Sequence, residues 1–191
     1  MRSKRPAAIN IGVDLDPQVI ARWQQFKPRH VELVQRDAVE FLSSYPFVGD
    51  ELVYADPPYV ASTRRRSRVY RYEYRDADHV ALLQVLRSLP CRVLLSGYDN
   101  ALYREHLSDW TVCAFPAQTH RGVREERVWT NFAPPPVLHD ASYLGHSFRE
   151  RQTIRRRHER WLARFDGLPV PERAHLLGLL NTRYPDSGSA P

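Results

Sequence analysis

Four times between Ile9 and Leu107 a short apolar run gives way to a stretch with helical periodicity. That alternation restricts the chain to sheet and helix in layers. Residues 9–13 are followed by Asp16 and Pro17, an N-cap and a first-turn proline for a helix carrying Val19, Ile20, Trp23 and Phe26. Residues 31–34 precede Asp37 and the helical Ala38, Val39, Phe41 and Leu42. The run 51–55 precedes a helix through Val80, Leu83 and Leu86, with Asp76 or Asp78 as its cap, and 92–95 precedes a helix near 101–107. Two further apolar runs, 111–115 and 127–132, have no helix between them and predict a hairpin. The expected fold class is α/β, a mostly parallel sheet with an antiparallel strand near its edge.

Pro134, Pro135 and Pro136 end that pattern, because consecutive prolines can neither continue a ladder nor enter a helix interior. The organisation expected is a domain over 1–133, a proline-containing linker over 134–146, a basic helical extension over 147–184 and a disordered tail over 185–191. In the extension, Ile154, Trp161 and Phe165 recur at helical spacing as an inward face, Gly167 stops that helix, and Pro171 starts a second with Ala174, Leu177 and Leu180. The 191 residues suffice for a real core, and no apolar run approaches the roughly 20 residues that span a bilayer. Basic residues open the chain, but Asp14 and Asp16 interrupt the apolar stretch behind them, so a cytoplasmic location is expected rather than secretion. Cys91 and Cys113, both in apolar runs, are expected to be buried thiols without a disulfide or metal role.

Net charge is +6, but its distribution is uneven. Residues 62–75 hold six Arg against one acid, and residues 147–184 hold nine Arg against four, so the remaining chain sums to −4. Clustered arginines add their fields, which points to a polyanion, and double-stranded DNA is the expected partner. Arg64, Arg65, Arg66, Arg68 and Arg71 alternate with Tyr70, Tyr72 and Tyr74, offering phosphate contacts beside planar rings; Arg155, Arg156 and Arg157 offer a second patch. A solvated basic surface is the alternative for both. The eight His show no ligand spacing with Cys or acids, so no metal is expected. Ser96-Gly97-Tyr98 lacks the full nucleophile-elbow pattern and gives only weak support to a hydrolase.

The most specific local signal is Asp56-Pro57-Pro58-Tyr59, directly behind the run Leu52-Val53-Tyr54. A carboxylate here leaves a strand at the end where open α/β sheets bind ligands. An aromatic amine is a poor nucleophile because its lone pair is delocalised into the ring. If Asp56 and a carbonyl of the stiff Pro57-Pro58 backbone each accept one N–H, the nitrogen is drawn towards tetrahedral geometry and its lone pair points at an electrophile. Tyr59 would stack on the extruded base and replace its lost stacking. The plainer alternative is a proline turn with Asp56 as a cap.

This tetrapeptide resembles the catalytic motif of amino-methylating DNA methyltransferases that use S-adenosylmethionine, in particular the adenine-specific class with its Dam-like and phage-type members. The segment Gly12-Val13-Asp14-Leu15-Asp16-Pro17 is similar to the acidic end of the family's second strand, and Gln35-Arg36-Asp37-Ala38 to its third. Val128-Trp129-Thr130-Asn131 and the Arg-rich tail with Trp161 look like those of the phage-type members. The resemblance implies a Rossmann-like methyltransferase sheet. In it Asp14 holds the cofactor ribose, Asp37 accepts from the adenine amine, and Asp56, Pro57, Pro58 and Tyr59 form the catalytic loop. For Asp14 and Asp37 a helix N-cap is the plain alternative. Asp at the head of the tetrapeptide favours adenine N6 over cytosine N4 by family analogy.

One departure matters. The eight glycines stand at 12, 49, 97, 122, 145, 167, 178 and 188, and no two are spaced as G-x-G, so the family's glycine-rich cofactor loop is not found. The expectation is a sheet lacking the family's first strand, with weak cofactor binding and doubtful activity. The function expected is site-specific DNA adenine N6-methylation. The alternatives are a non-catalytic nucleic-acid-binding remnant and, behind it, a cytosine-N4 methyltransferase. Oligomeric state and target sequence are not legible. With 19 positions from Asp37 to Asp56, no recognition domain fits between them, and target readout falls to the basic loop or the tail.

Overall fold

The computed structural model describes residues 7–26, 30–64, 69–119, 122–135, 144–145 and 147–185. It divides into two compact units, Met1–Ala133 and Pro134–Pro191. In the first, β1 (Ile11–Asp14), α1 (Pro17–Gln25), β2 (Glu32–Gln35), α2 (Ala38–Ser44), β3 (Leu52–Ala55), α3 (Asp76–Ser88), β4 (Arg92–Gly97) and α4 (Ala101–His106) alternate. The hairpin strands β5 (Thr111–Thr119) and β6 (Gly122–Thr130) close the unit. The fold class is the α/β class that the alternation predicts.

Local chemistry explains the element starts. The Asp16 side chain accepts from Gln18 N at 2.8 Å and Pro17 supplies a preset φ to the first turn of α1. Asp37 caps α2, its Oδ1 accepting from Val39 N and Glu40 N at 2.9 and 3.1 Å. The start of α3 differs from the expected aspartate cap: Arg75 holds the cap position, and Asp78, one turn in, reaches back to accept from Arg75 N at 2.8 Å. In the hairpin, Gly122 takes φ 111°, a left-handed conformation that side chains disfavour, and Thr119 pairs with Gly122. Pro116 sits in β5, which is tolerated because β5 is an edge strand.

The strands form two sheets rather than one. β1 and β2 pair in parallel, and the other four run in the order β3-β4-β6-β5, with β3 parallel and β6 antiparallel to β4. Among the described residues the outer edges of β1 and β3 pair with no further strand.

One face of the larger sheet carries the core. Val93 and Leu95 of β4 and Trp129 of β6 lie under Leu82, Leu83 and Leu86 of α3 and Tyr103 and Leu107 of α4, with Leu42 of α2 joining them. Each such leucine contributes about 1.5–3 kcal/mol through burial. The other face is left open: Leu52 and Tyr54 are 63% and 61% exposed. Phe115 and Cys113 of the edge strand are also exposed, which corrects the expectation that both cysteines are buried; only Cys91 is.

The second unit contains α5 (Phe148–Asp166) and α6 (Val170–Arg183). Ser147 caps α5, its hydroxyl accepting from Glu150 N at 3.1 Å, and Pro171 stands in the first turn of α6. Neither helix has a buried residue, and Trp161, expected to face inward, is 63% exposed. The other two residues of that stripe, Ile154 and Phe165, are half-buried. No helix of the described residues is long and apolar enough to cross a membrane.

His79 is fully buried in the core, its Nδ1 3.0 Å from the Tyr103 hydroxyl, with its Nε2 unpartnered among the described residues. Burial pushes its pKa below the ordinary 6.5 against the opposing pull of Asp76 and Asp78. The unfolded chain therefore binds a proton here that the folded chain refuses, so the stability held above pH 6.5 is lost as pH falls through the folded-state pKa. Denaturant midpoints measured from pH 7 to pH 5 should decline, and His79→Phe should flatten the decline; an equally steep fall in the variant would remove His79 as its source.

Candidate active site at the end of strand β3

Parallel pairing of β3 with β4 sets Ala55 opposite Leu95, so Asp56 and Ser96 emerge side by side. Ser96 is buried, and its hydroxyl donates to Asp56 Oδ1 at 2.9 Å; the Tyr54 hydroxyl in turn donates to Ser96 Oγ at 3.1 Å. Asp56 itself is exposed. Behind it Pro57 is buried and Val60 is anchored in the core, while Thr63 N and its hydroxyl both donate to the Val60 carbonyl. The loop backbone is thus held from both sides.

Tyr59 packs on Tyr98, with ring centroids 4.4 Å apart at 58°, and its hydroxyl donates to Glu126 Oε1 at 3.3 Å. Burial first, then the Asp56 and Glu126 charges, push its pKa well above the ordinary tyrosine value, so it keeps its proton and donates. The Arg124 guanidinium lies 4.0 Å from the centre of the Tyr98 ring and donates to the Thr63 carbonyl at 3.0 Å. A ladder of cation, ring and ring therefore borders the carboxylate.

The loop from β3 to α3 carries the first basic cluster, and its arginines have different fates. Arg64 is a correction to the expected phosphate contact. Its side chain is only 6% exposed and binds Glu73 in bidentate fashion at 3.0 and 2.7 Å. Glu73 also accepts from Val69 N and Tyr70 N, and the Arg64 guanidinium beside it holds its carboxyl well down, at about 2. Tyr70 is drawn in: Arg64 stands 5.4 Å from its ring centre, and burial, with the charge of nearby Asp56 adding to it, raises the pKa of its hydroxyl. Arg71 is exposed and pairs with Asp16 at 3.6 Å. Arg65, Arg66 and Arg68 lie outside the described residues.

Asp14 is half-buried at the end of β1, with Oδ1 accepting from Asp16 N at 2.7 Å. Asp37 serves as the cap of α2, the plain alternative, and lies close enough to Tyr74 to raise that hydroxyl's pKa, although burial is the larger cause. Arg71 touching Asp16 and Tyr74 lying near Asp37 show that the loop after β3 reaches the carboxyl ends of both β1 and β2. Asp37 and Asp56 thus border that loop, which meets the end of β1 at Asp16 rather than at Asp14. Arg155, Arg156 and Arg157 are exposed on α5, where Arg155 bonds Gln152 at 2.8 Å and pairs with Glu159 at 3.5 Å. Among the described residues no group of three or more His, Cys, Asp or Glu could hold a metal.

Sequence reasoning missed Tyr54, Ser96, Tyr98, Arg124 and Glu126 as parts of this site. Ser96 and Tyr98 end the strand after β3 and could have been found by treating neighbouring strand ends as one site. Arg124 and Glu126 depend on the hairpin register and left no such signal.

No family model matches the chain, and no curated protein is similar to it. Among solved structures it is similar to TrmK of M. capricolum in complex with S-adenosyl-homocysteine, with a TM-score of 0.39, 6% identity, and coverage of 91% of this chain and 78% of that one.

The Arg64–Glu73 clasp sets the loop beside Asp56. Glu73→Gln should cost about 1–3 kcal/mol and speed trypsin cleavage within residues 64–75 several-fold, while leaving the secondary structure of the remaining unit intact. Unchanged cleavage would show that the clasp does not order the loop.

Proposed function

We propose that the chain is an S-adenosylmethionine-dependent methyltransferase acting on a nucleobase amine, with adenine N6 in double-stranded DNA as its target. The observation that carries this reading is the Asp56 carboxylate at the end of a parallel strand, fixed through one oxygen by Ser96, exposed, and followed by the rigid Pro57-Pro58 backbone and Tyr59. Asp56 Oδ2 has the position and charge to accept one N–H of an exocyclic amine, and a proline-segment carbonyl accepts the other. Tyr59 and Tyr98 supply the aromatic wall against which an extruded base settles. The cofactor, when bound, supplies an electrophilic methyl group.

The residues fit that cofactor in part. Asp14, half-buried at the end of β1, offers an acceptor for ribose hydroxyls. For the methionine end, which needs close backbone approach, the sequence has no G-x-G, and β1 and β3 flank no common strand among the described residues. These two observations favour a second reading, a nucleic-acid-binding remnant that no longer holds the cofactor.

Two measurements separate the readings. Calorimetric titration with S-adenosylmethionine should give binding weaker than micromolar, and transfer of labelled methyl to unmethylated duplex, assayed at high cofactor, should be detectable in the wild type and abolished by Asp56→Ala with DNA affinity retained. No transfer by the wild type would leave the remnant reading; transfer by Asp56→Ala would remove the catalytic assignment.

DNA binding by α5 rests on its exposed arginines and the local charge excess. Replacing Arg155, Arg156 and Arg157 with Ala should weaken DNA binding and reduce the slope of log K against log salt by about 0.9 for each phosphate that is no longer neutralised. An unchanged slope would make that face a solvated one.

A further inference from the structure

We infer that Tyr54 and Ser96 form a directed hydroxyl relay that orients Asp56, making them positioning residues for amine capture; the inference rests on the methyl-transfer reading above. In the sequence, Ser96 belongs to a hydrolase pattern that is not completed. The structure gives it a different place.

Asp56, as a carboxylate, can only accept. The Ser96 hydroxyl, 2.9 Å from Asp56 Oδ1, must therefore be the donor in that bond, and its single proton is committed there. The Ala55 carbonyl, at 3.4 Å, competes for the same proton from farther away. With its proton spent, Ser96 Oγ can meet Tyr54 only as an acceptor, so the Tyr54 hydroxyl at 3.1 Å must donate. The direction Tyr54 to Ser96 to Asp56 follows from proton count alone. Donation into Ser96 polarises its own O–H towards the carboxylate.

The consequence lies in the carboxylate's second oxygen. A side-chain carboxylate turns about its terminal torsion with little resistance. Holding Oδ1 on Ser96 restrains that torsion and leaves Oδ2 of the exposed Asp56 as the oxygen for an amine N–H. Packing does not explain Tyr54: the residue is 61% exposed on the open face of the sheet, and phenylalanine would expose the same ring. What phenylalanine lacks is the hydroxyl that reaches Ser96.

The test is a double-mutant cycle on the full chain. Tyr54→Phe removes one hydroxyl from an exposed ring and should leave the melting temperature and KM for duplex DNA unchanged while lowering kcat about threefold to tenfold. Ser96→Ala should lower kcat about tenfold or more, and the double variant should be no slower than Ser96→Ala alone, because Tyr54 acts only through Ser96. Wild-type kcat in Tyr54→Phe, or losses that multiply in the double variant, would overturn the relay. If the wild type transfers no methyl group, the functional reading fails and the relay is judged by the 13C chemical shift of the Asp56 carboxyl. That signal should move in both single variants; a signal unmoved in Tyr54→Phe would overturn the relay on its own.

Discussion

The parallel pairing of β3 with β4 is the interaction on which the site depends. Two parallel neighbours cannot be joined by a tight turn, so the chain must leave β3, cross one face and return through a helix. That helix, α3, is held by burial of Leu82, Leu83 and Leu86 over Val93 and Leu95. The same burial fixes the register, and a slip of one residue would turn Ser96 to the opposite face and away from Asp56. Packing on one side of the sheet thereby sets a hydrogen bond near its end. Trp129 extends this control to the hairpin: it is buried under Tyr103, at a centroid distance of 5.2 Å, and fixes the strand that carries Arg124 and Glu126 to the aromatic wall.

Charge does the corresponding work in the loop between β3 and α3. Residues 62–75 carry six arginines, and without internal pairing they would repel one another. The fold answers by placing Glu73 among them as acceptor for Arg64 and two backbone amides, and by pairing Arg71 with Asp16. The first pair is largely removed from solvent and organises the loop; the second is half-exposed and adds little energy on its own. A charge run that reads as a binding surface is thus partly internal scaffolding. Sequence position alone does not separate the two, because the pairing joins residues nine positions apart.

The elements were legible for local reasons. Asp16-Pro17 and Asp37 announce helices through their own backbone bonds, and the hairpin follows from adjacent apolar runs without a helical period between them. Asp56 stands out in the sequence because the chemistry proposed for it is written in four consecutive residues. What was not legible is long-range: the contact of Tyr59 with Glu126 spans 67 positions, and that of Ser96 with Asp56 spans 40. The inward reading of Trp161 failed for a related reason. An amphipathic period says which residues of a helix share a face but not how far cover extends along it: Ile154 and Phe165 are half-buried, whereas Trp161 is exposed.

The divided sheet gives the architecture its main tension. Parallel strands are ordinarily covered on both faces and continuous with their neighbours, whereas β3 leaves Leu52 and Tyr54 open to solvent and, among the described residues, pairs on one side only. The four-stranded sheet tolerates this because half of it is an antiparallel hairpin, the arrangement best suited to one wet face. That hairpin also carries Arg124 and Glu126, so the part of the sheet that tolerates solvent is the part that walls the site. The cost falls at the opposite end, where the edges of β1 and β3 meet no further described strand and the methionine half of a cofactor finds no glycine-lined floor. The bracing of Asp56 by Ser96 and the Tyr59–Tyr98 wall is therefore built independently of the edge of the sheet on which the proposed methyl donor would have to rest.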